Sequence, residues 1–417
     1  MKKPITIFTL SIIAILGVAK NYQTQIFNPE VKTLQIYPVN KPLELPVIEL
    51  NTNEKLSISF DEMHYGHKNF YYKIIHCNKD FSPSVLSEIE YINGFYYGSI
   101  DEVNLSVNTV TNYANYRFEI PDDNFAFKVS GNYAVIIAED NDFSRPAATA
   151  VFYVCESQVK VAASTTSHTD IEFNGRYQQL DFIIDNTGYK VQNAFAEIDV
   201  NVFQNRRKDN AVLNLKPTFT SLNKQTYTKN KNLIFEGGNQ YRIIDFPSEY
   251  AFSGEIDKIE IKADYYNVFL YPATPRNNSS SPTSGLDVDG LFIIHRKNND
   301  YDNFTPDYMW VHFLLPAKTP FKDCEIHIMG ELTNNVFNEN SKMDYDTDLG
   351  IYHKTLMLKQ GGYGFMYAFL PKNKNTATLQ TFEGSYWQTQ NEYTIMVYHR
   401  PFGGRYDKLI GVEVLNN

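Results

Sequence analysis

Apolar and polar residues alternate in short runs along most of this 417-residue chain. Leu56-Ser57-Ile58-Ser59-Phe60, Ala196-Glu197-Ile198-Asp199-Val200-Asn201-Val202 and Lys258-Ile259-Glu260-Ile261-Lys262 carry the two-residue period of a half-buried strand. Residues 133–137, 150–154 and 310–313 are rich in β-branched and aromatic side chains, and Gly, Pro, Asn or Asp bounds such runs. No capped window of helical period exceeds two or three turns. At 82–88, Ser82 as cap and Pro83 at the first position predict a single helical turn. The pattern predicts an all-β protein of stacked antiparallel sheets.

The strands fall into three blocks, at 33–157, 158–300 and 301–417. Each has the size of an immunoglobulin-like sandwich, so the fold class expected is tandem immunoglobulin-like β-sandwich domains. The middle block contains a Pro/Ser/Asn-rich loop at 272–284, too polar to join a core, that reads as a linker or a long surface loop. The first nineteen residues read as a signal peptide. Lys2 and Lys3 precede an apolar run over 5–18, and Gly17-Val18-Ala19 suits a signal peptidase. Removing 1–19 takes the net charge from −10 to −12 and leaves an exported, soluble chain.

An acidic chain without a Lys/Arg-rich run does not suit nucleic acid as a partner. Three cysteines spread along the chain are no disulfide framework; Cys77 and Cys155 share the first block, either as a disulfide or as two buried thiols. His64 and His67 are three apart beside Gly66, which suits a turn and not a metal. Asp344, Asp346 and Asp348 resemble the start of a calcium loop, but no Glu follows at the twelfth position, so a solvated acidic loop is expected. Gly361-Gly362-Tyr363-Gly364, between strand-like flanks, predicts a hairpin turn. No nucleophile elbow, zinc-protease or phosphate-loop motif occurs. Catalytic residues, cofactor and metal are therefore all expected to be absent.

The chain has 30 Tyr and 29 Phe but only 2 Trp. Tyr71-Tyr72, Phe95-Tyr96-Tyr97, Tyr265-Tyr266 and Tyr386-Trp387 set rings side by side, so in a strand one of each pair points away from the core. Outward Tyr suits a protein partner or a sugar.

Several segments follow one another in a distinctive order: Ile75-His76-Cys77-Asn78-Lys79-Asp80-Phe81-Ser82-Pro83-Ser84, Glu90-Tyr91-Ile92-Asn93-Gly94-Phe95, Phe203-Gln204-Asn205-Arg206-Arg207, Phe235-Glu236-Gly237-Gly238-Asn239 and the run 391–411. Together they resemble one family, the plug proteins of the Bacteroidetes type IX secretion system. The resemblance implies a periplasmic, non-enzymatic gate that reversibly closes a large outer-membrane barrel translocon, its partner, with no small-molecule substrate. The loop carrying Arg400, Phe402, Arg405 and Tyr406 is the expected contact; Arg206 and Arg405 also suit interdomain hydrogen bonding.

The last block also resembles the carbohydrate-binding-module sandwich of glycogen-related enzymes. Met329-Gly330-Glu331-Leu332-Thr333-Asn334-Asn335 stands at that fold's turn, and 358–367 at its following hairpin. Leu332 and Val336 replace the aromatics that would stack on sugar, so the fold is expected without the activity. A periplasmic or surface polysaccharide-binding protein is the alternative reading.

Overall fold

The computed structural model describes residues 21–285, 288–296 and 303–417; the expected signal peptide lies outside the described residues. The alternating segments form strands, as the pattern predicts. In the first domain, a four-stranded sheet (Val31–Pro38, Leu56–Glu62, Ala114–Ile120, Glu102–Leu105) faces a larger one. The centre of that larger sheet is Phe70–Cys77, Gly131–Glu139 and Ala148–Cys155. Phe60, Phe70, Tyr116, Tyr133 and Phe152 fill the space between them. Residues 133–138 and 148–155 are buried without alternation, because a second layer covers their outer face. There Ala134, Val151, Tyr153 and Cys155 meet Met396, Tyr398 and Leu409 of the next domain. A strand covered on both sides reads as a continuous apolar run.

The division at 300 does not survive in the strand pairing. Ile198–Gln204 pairs with Glu392–His399, which pairs with Lys408–Asn416, so the chain's last strands complete the second sandwich. Leu180, Phe182, Val200, Tyr393, Ile395 and Ile410 share its core. The third sandwich is inserted between, and its core takes Ile244 and Val268 as well as Phe313, Tyr367 and Phe382. The loop 272–284 is part of that domain: Ala273 lies in its core, and Arg276 reaches the buried Glu383. Polarity marked a loop correctly, but not a boundary between domains.

The true crossing points are marked by Gly237-Gly238. The outgoing chain runs against the returning one there. Tyr386 N–H donates to the Gly238 carbonyl (2.9 Å), and a Cβ on Gly237 would lie 2.2 Å from the Tyr386 carbonyl oxygen. Only a residue without a side chain permits that approach.

Two local expectations change, and the open question of Cys77 and Cys155 is decided in favour of two buried thiols. The helical turn is Glu88–Tyr91, capped by Ser87, whose N–H and hydroxyl both donate to Glu90 (2.9 and 2.8 Å). Ser82 instead closes a loop on Asp80, and Pro83 bridges back to Cys77. Residues 361–364 are no hairpin turn, because strand Gly361–Pro371 pairs with Arg242–Asp245 and Phe292–Ile294 and not with Ile351–Lys359. The chain passes from one sheet to the other at Gln360. Finally, Cys77 pairs in register with Asn132, and Asn132 with Tyr153. Cys77 and Cys155 thus sit two strands apart and two residues out of register, about 12 Å, beyond the roughly 7 Å a disulfide spans. Both are free and buried, and burial pushes both thiols up.

Candidate docking surface

The hairpin Glu392–His399/Lys408–Asn416 belongs to the second domain, but its loop reaches across to the first. Gly404 N–H donates to the Pro401 carbonyl (2.7 Å), and Gly403 sits at φ +75°. This is a type II turn, with Gly where positive φ is required and Phe402 at the outer corner. Phe402 is 97% exposed.

The other three expected contact residues hold the turn in place. Arg400 pairs with Asp407 (2.8 Å) and reaches Asn78 of the first domain (2.8 Å), while its N–H donates to the Glu197 carbonyl (2.9 Å). Asp407 in turn accepts the Lys79 N–H (3.0 Å), and Lys79 pairs with Asp199. Arg405 pairs with Glu90 (2.5 Å) and donates to the Val85 carbonyl (3.1 Å). Hydrogen bonds from Ser87, then from Arg405, hold Glu90 at about 2. Tyr406 is half-buried, edge-on to His76 at 5.5 Å.

Three apolar side chains beside those anchors had no signal in the sequence. Val85 and Ile89 are 68% and 79% exposed on the segment that Arg405 grips. Phe195 is 59% exposed on the helical turn Ala194–Glu197, to which Arg400 is bonded. With Phe402 they form four exposed apolar groups on three segments hydrogen-bonded to one another. Exposed apolar side chains carried on backbone fixed in this way are candidates for a contact surface.

The remaining candidates are accounted for structurally. His64 and His67 lie in an exposed loop, and no group of three His, Cys, Asp or Glu suited to a metal occurs among the described residues. Asp346 accepts the N–H groups of Asp348 and Leu349 (2.9 Å each), which explains the acidic loop as a turn. Tyr72 is buried in a stack on Phe118, and Tyr386 is buried as well, whereas Phe95 and Tyr97 are exposed. No helix among the described residues is long and apolar enough to cross a membrane.

Residues 31–156 match the model of the type 9 secretion system plug protein first domain. The chain belongs to the type IX secretion plug family. A crystal structure of a hypothetical protein from Parabacteroides merdae ATCC 43184 is 38% identical and superposes with a TM-score of 0.93, covering 95% of this chain and 100% of that one. A Pseudomonas fluorescens alkylpurine DNA glycosylase AlkC bound to DNA aligns at a TM-score of only 0.16 and 11% identity, over 30% of each chain, which carries no weight. No curated protein matches. The matched plug domain supplies Val85 and Ile89 to the apolar cluster, and the second domain supplies Phe195 and Phe402.

The plug's seam carries a pH-dependent element. His76 is buried between the Ser84 hydroxyl (2.8 Å) and the Ser130 carbonyl (3.3 Å), and burial pushes it down to about 4. The unfolded imidazole titrates near 6.5. The stabilisation is therefore complete above that value and is lost as pH falls from about 6.5 toward 4, where only the unfolded chain takes the proton. Between about pH 7 and 4.5 this group should cost about 2 kcal/mol. Denaturation curves across that range should show a shallower decline for His76→Gln than for wild type.

Proposed function

We propose that this plug protein sits in the periplasm, reversibly closes the type IX translocon channel at the outer membrane, and performs no catalysis. The plug-domain match over 31–156 carries this reading. The geometry supports it, because closing a wide pore requires girth and a reversible contact rather than a reaction. Three sandwiches joined by buried contacts provide the body. The apolar cluster at Phe402 provides the contact, and its rim charges are already paired within the chain. An interface near the usual ~1,600 Å² with a small apolar centre is specific yet can dissociate.

The turn that resembles a carbohydrate-binding loop offers no sugar platform, since Leu332 packs on the third domain's core. The contact with a protein partner is sought at Phe402. Affinity purification from solubilised outer membranes should recover a large barrel protein, and deletion of the gene should let large antibiotics enter. Unchanged permeability would count decisively against the reading. Phe402→Glu should leave thermal stability untouched, because the ring touches little, and should weaken barrel capture by about thirtyfold, the size of a hot-spot loss.

A further inference from the structure

Two adjoining open clefts of about 400 and 370 Å³, each of mixed polar and apolar lining, share Trp387 and Gln388; the first lies between the second and third domains and the second runs along the second domain. Trp387 is one of the two tryptophans in the chain. Its backbone is clamped: its N–H donates to the Gly175 carbonyl (3.1 Å), and its carbonyl accepts from the Gln178 amide (2.7 Å). Trp387 is half-buried, and its indole N–H has no hydrogen-bond partner among the described residues.

The first cleft is walled by amides, hydroxyls and glycine backbone with Arg176 and Tyr386, and the second by threonines, Ser167, His168 and amides. The side chains of Ser279, Ser280 and Gln388 bond to nothing else among the described residues, and Asn277 spends only its amide N–H, on the Thr381 carbonyl (2.8 Å). The cation in the first cleft, Arg176, is already held by Glu172 (3.2 Å) and lies over the Tyr177 ring. An ionic ligand therefore meets no unpaired counter-charge there, and an apolar one would strand uncommitted polar groups. A pyranose matches both features. Its C–H face stacks on an indole, and its ring of hydroxyls uses amides as donors and acceptors together.

We propose that the Trp387 groove binds an uncharged oligosaccharide. This site is separate from the docking cluster at Phe402 and does not depend on the plug reading. It also differs from the Leu332 turn, where the resemblance to carbohydrate-binding modules would have put sugar.

The test uses the full chain carrying Trp310→Phe, so that Trp387 is the sole indole reporter. Chitohexaose and maltoheptaose are titrated separately, which distinguishes a β-linked N-acetylglucosamine chain of the cell-wall type from an α-glucan. The expected result is a saturable change in tryptophan emission with at least one of them. Trp387→Ala in the wild-type chain should weaken retention on the same immobilised sugar by roughly tenfold or more, the scale of one stacking contact. Ser280→Ala/Gln388→Ala, both at exposed positions, should weaken it with the melting temperature unchanged, and decides the matter if Trp387→Ala does not fold. Absence of saturation with both sugars, or retention that survives loss of Trp387 or of the Ser280/Gln388 pair, overturns the proposal.

Discussion

Lys359→Met will destabilise the protein by about 3–5 kcal/mol, the usual result of removing one partner from a buried ion pair. Lys359 and Asp61 are 1% and 0% exposed, and their charged atoms lie 2.5 Å apart across the seam of the first and third domains. Asp61 also accepts from the Tyr308 hydroxyl (2.5 Å) and the Asn115 amide (2.7 Å). The ammonium lies over the Tyr113 ring at 4.2 Å. Methionine keeps most of the volume and removes the charge, so the carboxylate is left in a dry site with two neutral donors. The double variant Asp61→Asn/Lys359→Met should recover most of the loss, because neither charge then needs a partner. Chemical denaturation of the three proteins decides this. A loss below about 1 kcal/mol for the single variant would mean that water or rearrangement compensates Asp61.

Neither member of that pair announces itself in the sequence. Asp61 follows an alternating strand and Lys359 ends another, where charged residues ordinarily face water. What buries them is the packing of one domain on another, and two-residue periodicity carries no record of that. The same limit explains the domain boundaries. The strands themselves were legible, since each is specified by its own few residues, but Val200 meets Val397 across nearly half the chain. Only the Gly237-Gly238 pair carried a local trace of the insertion, and without the returning strand it reads as an ordinary turn.

The docking cluster was legible in part for a related reason. Pro401-Phe402-Gly403-Gly404 specifies a tight turn with a ring at its corner from sequence alone. Arg400, Arg405 and Tyr406 stand beside it in the sequence, yet their partners, Asn78, Glu90 and His76, lie more than 300 residues away. Val85, Ile89 and Phe195 are single apolar residues in loops and short turns, an unremarkable occurrence until the fold collects them.

Glu383→Ala tests whether an ion-pair cluster holds the loop 272–284 against the third domain. Glu383 is fully buried; its carboxylate accepts from Arg242 (3.1 and 3.2 Å), Arg276 (2.7 Å) and the Tyr367 N–H (3.1 Å). Arg242 has other support, from Glu255 (3.3 Å), the Thr274 carbonyl (2.7 Å) and the faces of Tyr367 and Phe382. Arg276 has less: one of its terminal nitrogens is already buried without a hydrogen bond. Removing the carboxylate should therefore cost about 3–5 kcal/mol and release the Arg276 end first. Glu383→Gln keeps the shape and one acceptor, and should cost about 1.5–3 kcal/mol, the worth of hydrogen bonds to a charged group. Limited proteolysis reports the local consequence directly. Once Arg276 lets go, the polar, proline-rich stretch should behave as the linker its composition suggests, and new cleavage should fall within 272–284. If that stretch stays protected in Glu383→Ala while the cost remains under about 1 kcal/mol, Ala273 and its neighbours hold the loop by packing alone.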